Sequence, residues 1–150
     1  MRLIISITVC LGAAWIGSLF TRPALQVWYA DLAKPSWTPP NWIFGPVWTV
    51  LFLAMAIAAW LVWQKNGLTA RPMQLFLLQL FLNVTWSGLF FRLHSPGAAF
   101  AEIVLLWFAI LATTVEFWRT MPAAGWLLLP YLTWVGYAAA LNYSIWRLNS

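Results

Sequence analysis

Residues 43–63 read IFGPVWTVLFLAMAIAAWLVW, and no charged side chain interrupts these 21 positions. As a helix rising about 1.5 Å per residue, the stretch is about 30 Å long, the thickness of a bilayer's hydrocarbon core. A helix on the surface of a soluble protein keeps a polar face; here Thr49 is the sole hydrogen-bonding side chain besides the tryptophans. Residues 43–63 are therefore read as a membrane span, closed by Gln64-Lys65-Asn66-Gly67.

The same reading extends outward in both directions. Leu3 to Phe20 forms a first span, closed by Thr21-Arg22-Pro23; Met73 to Phe91 forms a third, between Arg71-Pro72 and Arg92. Ala98 to Trp118 and Ala123 to Trp146 complete a compact all-α bundle of five transmembrane helices in one domain covering residues 1–150. Composition agrees: the chain is 63% hydrophobic and 7% charged, with mean hydropathy +0.80, whereas a soluble domain carries about 25% charge. The net charge of +5 comes from basic residues scattered singly, which excludes a nucleic-acid-binding stripe. No small-x-small cleavage site follows the first run, so it is read as a retained helix and not a secretory signal. Orientation stays open. Arg2, Lys65, Arg71 and Arg119 fall on one face of the membrane, and Arg22, Lys34, Arg92 and Arg147 on the other, so the basic residues show no bias.

The one long connection, Thr21 to Trp42, holds Pro23, Pro35, Pro39 and Pro40 together with Trp28, Tyr29, Trp37 and Trp42. Prolines at this density oppose a regular helix, and the aromatics favour an ordered segment. It is read as a lid over one end of the bundle. Charge in the interior is sparse: Glu102 and the Glu116/Arg119 pair are read as interfacial, which disfavours an ion-coupled pump. With a lone Cys10 and a lone His94 there is no candidate metal centre, and no nucleophile–base set supports covalent catalysis.

Uncharged polar residues are better placed. Gln79, Asn83 and Ser87 recur at i, i+4 and i+8 on the third span, with Trp86 and Phe90 beside them. Trp134, Ala138 and Asn142 share that spacing on the fifth, flanked by Tyr131 and Tyr137, while Trp48, Phe52 and Met55 line one face of the second. In lipid an amide must turn inward to find a partner. The interior should therefore offer aromatic walls and two amides, Asn83 and Asn142, suited to a large, flat, mostly apolar ligand with polar edges. Met55 is the one thioether near these faces, so a metal-free porphyrin or a sterol fits better than haem.

Three stretches resemble a known family. KPSWTPPNWIFGPVWTVLF (Lys34 to Phe52), QLFLNVTWSGLFF (Gln79 to Phe91) and LPYLTWVGYAAALNYSIWRLN (Leu129 to Asn149) are similar to motifs of the translocator proteins, also called tryptophan-rich sensory proteins, TspO/MBR proteins or peripheral benzodiazepine receptors. The resemblance implies a five-helix membrane receptor, usually a homodimer, that binds protoporphyrin IX, other porphyrins, sterols or synthetic drugs under a lid, with no resident cofactor. It places Tyr29, Trp37, Trp48, Phe52, Asn83, Trp86, Trp134, Ala138 and Asn142 around the ligand. It also implies two alternatives: light-dependent porphyrin breakdown, for which Trp48 and Trp134 are the catalytic candidates, and passive transport of porphyrins or sterols. Leu141, Tyr143 and Arg147 fit the loose sterol motif. The third span lacks a clean Gly-x-x-x-Gly, so Ala13 and Gly17 stand in as a small-residue pair for dimerisation. Only Met1-Arg2 precedes the first span, from which a bacterial-type member in the cell membrane is expected.

Overall fold

The computed structural model describes residues 1–150. Five helices are long and apolar enough to cross a membrane: α1 (Arg2–Leu25), α2 (Asn41–Asn66), α3 (Arg71–Ser87, prolonged by a π-helical segment Gly88–Arg92), α4 (Pro96–Thr120) and α5 (Pro122–Leu148). All five sequence-predicted spans are present. Each is longer than predicted because helices run past the hydrocarbon into the interface, where Pro72, Pro96 and Pro122 occupy first-turn positions that need no N–H partner.

Three internal prolines do not stop their helices: Pro23 in α1, Pro46 in α2 and Pro130 in α5. Each removes one backbone bond, a loss that helices buried against neighbours tolerate in membranes. This is why α1 passes through Thr21-Arg22-Pro23 to Leu25, where the sequence reading ended it at Phe20.

Neighbour contacts arrange the helices as a ring, α1–α2–α5–α4–α3 and back to α1. The half of the ring remote from the lid is solid. Met55, Phe76, Ile110, Phe117, Leu128 and Tyr131 pack there almost wholly buried, with Phe76 and Phe117 stacked at 5.8 Å. The half beneath the lid is hollow on the α1, α2, α3 and α5 sides.

Two elements were not foreseen. The π-helical segment closes with the Leu93 N–H donating to the Gly88 carbonyl at 2.9 Å. Its wider turn puts the consecutive Phe90 and Phe91 both inside, with ring centroids 4.8 Å apart. The connection between α1 and α2 contains a 3-10 turn at Tyr29–Asp31. Lys34 curls back on this turn, donating to the carbonyls of Tyr29 at 2.7 Å and Leu32 at 3.1 Å, with its ammonium 4.7 Å from the Tyr29 ring centre.

The connection is pinned to α5 at two points. The Asn149 amide donates to the Ala33 carbonyl at 2.8 Å and accepts from the Ala33 N–H at 3.0 Å. Tyr137 Oη donates to the Trp37 carbonyl at 2.6 Å. Trp28 lies flat on His94 at 4.5 Å. Asn149→Ala should therefore speed amide hydrogen exchange across residues 28–38 while the five helices keep their protection; unchanged exchange would mean that the other contacts alone hold the lid.

Candidate functional site

Beneath the lid lies a cavity of about 560 Å³, within the about 300–1,000 Å³ typical of small-molecule sites. Its lining comes from the lid-side halves of four helices: 11–25 of α1, 41–52 of α2, 83–91 of α3 and its π segment, and 134–145 of α5. Tyr29 closes the top. The cavity exists because the lid-side half of α1 presents Ala13, Ala14 and Gly17 where its neighbours present Trp48, Phe52, Trp86 and Trp134. Small residues facing large flat ones leave a gap that no rotamer fills.

Eight of the nine residues expected around a ligand line this cavity: Tyr29, Trp48, Phe52, Asn83, Trp86, Trp134, Ala138 and Asn142. Trp37 does not. It stands half exposed on the outer rim, edge-on to Tyr137 at 5.5 Å, because its own carbonyl is tied to that tyrosine. Its backbone carbonyl is one of the points that fasten the lid.

The aromatic wall has a definite geometry. Trp48 and Trp134 meet edge to face with ring centres 6.4 Å apart, an arrangement that aromatic quadrupoles favour. Phe44 and Phe52 continue the wall on either side, and Trp86 stacks on Phe90 at 5.5 Å.

The amides have different partners. The Asn83 amide donates to Tyr131 Oη at 2.8 Å, and that hydroxyl donates to Gln79 Oε1 at 2.7 Å, joining α3 to α5 below the cavity floor. Asn142 Oδ1 accepts from Trp86 Nε1 at 2.9 Å, and its amide donates to the Pro96 carbonyl at 2.8 Å. Asn142 is thereby satisfied by the protein, whereas Asn83 Oδ1 accepts no protein bond and stays open at the cavity wall.

Two donors on lining residues have no partner. Tyr29 Oη and Trp134 Nε1 are both shielded and unbonded, a situation that costs about 1–3 kcal/mol for each buried group. Burial pushes the Tyr29 phenol up to about 12, so it remains a neutral O–H donor at physiological pH.

Four expectations change. Gly17 is buried against α3, where an added Cβ would lie 3.4 Å from Ser87 Oγ, and Ala13 lines the cavity beside it. The pair thus serves packing within one chain and not a contact between two. Leu141 points into the cavity while Tyr143 is exposed on the opposite side and Arg147 projects from the helix end; positions two apart on an α-helix lie about 200° apart, so the sterol motif is not one surface. Glu102 is not a solvated side chain: it lies in the second turn of α4, which begins at Pro96, and both carboxylate oxygens are shielded without a partner. Met55 lies in the solid core, not at the cavity, and receives the Gln79 amide at 3.8 Å on its sulfur.

Sequence reasoning missed the whole α1 wall, Phe91 and the hub role of Tyr131. The small residues Ala13, Ala14 and Gly17 were the available signal for the wall. The π segment that turns Phe91 inward has no equivalent signal.

Comparison with known proteins agrees with this architecture. The chain is 43% identical to the tryptophan-rich protein TspO of Chlorobaculum tepidum, over 99% of this chain and 96% of the relative. It is 41% identical to the human translocator protein, over 90% of this chain and 82% of that one. The tryptophan-rich sensory protein of Cereibacter sphaeroides is 36% identical, with 95% and 88% covered. With the pattern of that family matched across residues 6–147 and five membrane-spanning helices around a tryptophan-lined cavity, this multi-pass integral membrane protein belongs to the TspO/MBR family.

Proposed function

We propose that the protein is a membrane receptor or sensor that takes porphyrins of the protoporphyrin IX type, and related flat hydrophobic molecules, into the cavity beneath its lid, in the service of tetrapyrrole transport or regulation. One observation carries this reading. A cavity of about 560 Å³ is walled by Trp48, Phe52, Trp86 and Trp134 and carries one open polar atom in its wall, Asn83 Oδ1. Flat aromatic walls match a conjugated ring system, and the open amide oxygen matches an N–H or O–H donor of the ligand.

Titration of the purified protein with protoporphyrin IX, followed by tryptophan quenching, tests the reading. Saturation at one ligand per chain is expected; quenching that rises linearly, as for simple partition into the detergent or lipid, would overturn it. Trp134→Phe should weaken binding by about 1 kcal/mol, because the aromatic wall is shortened, with the fold retained by circular dichroism.

A second reading, light-dependent breakdown of bound porphyrin, is favoured by the Trp48/Trp134 pair, two oxidisable rings in edge contact within the cavity. Illumination of the complex in air should then yield a new absorbing product that is lost in both Trp48→Phe and Trp134→Phe. A product that forms equally in both variants assigns the chemistry to free porphyrin.

A further inference from the structure

The cavity is closed above and open at the side. Its top is plugged by Tyr29, and the lid that carries Tyr29 is fastened to Asn149 and Tyr137 of α5. Its lining nevertheless includes Leu11, Trp15 and Arg22 of α1 and Trp42, Gly45 and Thr49 of α2, all of which are exposed on the outside of the bundle. These recur along each helix at intervals of three, four and seven, one stripe facing the other. The lining therefore continues between α1 and α2 to the surface that meets lipid.

The gap has a local cause. At the end remote from the lid, α1 and α2 are clasped: Ser6 Oγ donates to the Ala56 carbonyl at 2.6 Å, and Cys10 is fully buried. Toward the lid they separate, and at Gly45 a Cβ would meet nothing within 4 Å. Arg22 stands at the lid end of the gap. It is the one charged side chain in the lining, and it makes no ion pair or hydrogen bond within the protein.

We propose that the cavity exchanges its ligand sideways with the bilayer, through the slot between α1 and α2, and that Arg22 selects ligands carrying a carboxylate at the lid end. This rests on the receptor reading above. A hydrophobic ligand is concentrated in the hydrocarbon, so a lateral opening meets it where it resides, and no pinned lid has to be lifted. An unpaired guanidinium at the interface then draws the acid group of an amphiphile to that end and leaves its apolar body level with Trp48 and Phe52.

The slot is tested by filling it. Protein reconstituted in phosphatidylcholine vesicles is mixed with protoporphyrin IX, and tryptophan quenching is followed by stopped flow. Gly45→Phe should slow association and dissociation together by about tenfold, leaving Kd within about threefold, since it obstructs the route and not the site. Thr49→Trp fills the same gap from the next turn and should act alike if Gly45→Phe fails to fold. Asn149→Ala, which frees the lid, should leave both rates unchanged. Rates untouched by either slot variant, or accelerated by Asn149→Ala alone, would overturn the slot. Arg22→Gln should weaken binding of the diacid by about tenfold, or about 1.4 kcal/mol, and leave the dimethyl ester unaffected. Equal effects on both would remove Arg22 from the proposal.

A failure of the receptor reading looks different: wild-type protein would show no saturable porphyrin quenching at all. The slot is then judged with dibrominated stearate, a carboxylate with an apolar tail that quenches tryptophan on contact. Saturable quenching relieved by Gly45→Phe would retain the slot; its absence would end it.

Discussion

Tyr131→Phe should lower the thermal midpoint of the protein by far more than the loss of one oxygen atom suggests. The hydroxyl accepts from the Asn83 amide at 2.8 Å and donates to Gln79 Oε1 at 2.7 Å, and all three residues are buried. Interhelical hydrogen bonds in membranes average only about 0.6 kcal/mol, because the unfolded chain in lipid finds other partners. Here one deletion takes the partner from two polar groups of buried residues between α3 and α5, the Asn83 amide and Gln79 Oε1. The desolvation penalty of about 1–3 kcal/mol for each group then outweighs the small net worth of the bonds. A total of about 2 kcal/mol is expected, with α3 and α5 still packed. Replacing Gln79 by leucine in the same background should return part of the loss, since removing both partners of a buried bond is nearly neutral. A Tyr131→Phe protein that melts with the wild type, or a double variant weaker than the single, would show that the network is not what joins α3 to α5.

The two asparagines should separate in a paired measurement of melting and porphyrin titration on the same sample. Asn142 spends both ends of its amide inside the protein, on Trp86 and on the Pro96 carbonyl that begins α4. Asn142→Leu should lower the melting temperature and leave affinity per folded molecule nearly constant. Asn83 has Oδ1 free at the cavity wall, and Asn83→Leu should weaken porphyrin binding by about 1–3 kcal/mol, the cost of unpairing a buried polar group of the ligand. That variant also leaves Tyr131 without its donor, so some loss of stability is expected alongside; the change in affinity is the discriminating readout. The reverse ranking, with Asn142→Leu abolishing binding and Asn83→Leu silent, would place the ligand's polar edge against α4 and α5 instead of over the cavity floor.

The five spans could be read along the chain because bilayer thickness converts directly into a run of about 20 apolar residues. The inward direction of Asn83 and Asn142 could be read as well, since an amide in a membrane helix has nowhere else to turn. The spacing of Trp48, Phe52, Trp86 and Trp134 then put the aromatic walls on the correct faces, and all four line the cavity. Spacing alone cannot say which helices adjoin. It was the ring order α1–α2–α5–α4–α3 that set Gly17 against Ser87 and Ala13 beside the cavity, turning a pair read as a contact between two chains into one wall of the cavity. Periodicity also assumes 3.6 residues per turn, so it could not foresee the π segment that brings Phe90 and Phe91 in together. The partners of each polar group were beyond the sequence for a related reason. Both amides turn inward, but whether one ends on a neighbouring helix or at an open wall is decided by distances of a few ångströms between helices remote in the chain. Those distances follow from how all the side chains pack at once, and only the tertiary structure contains them.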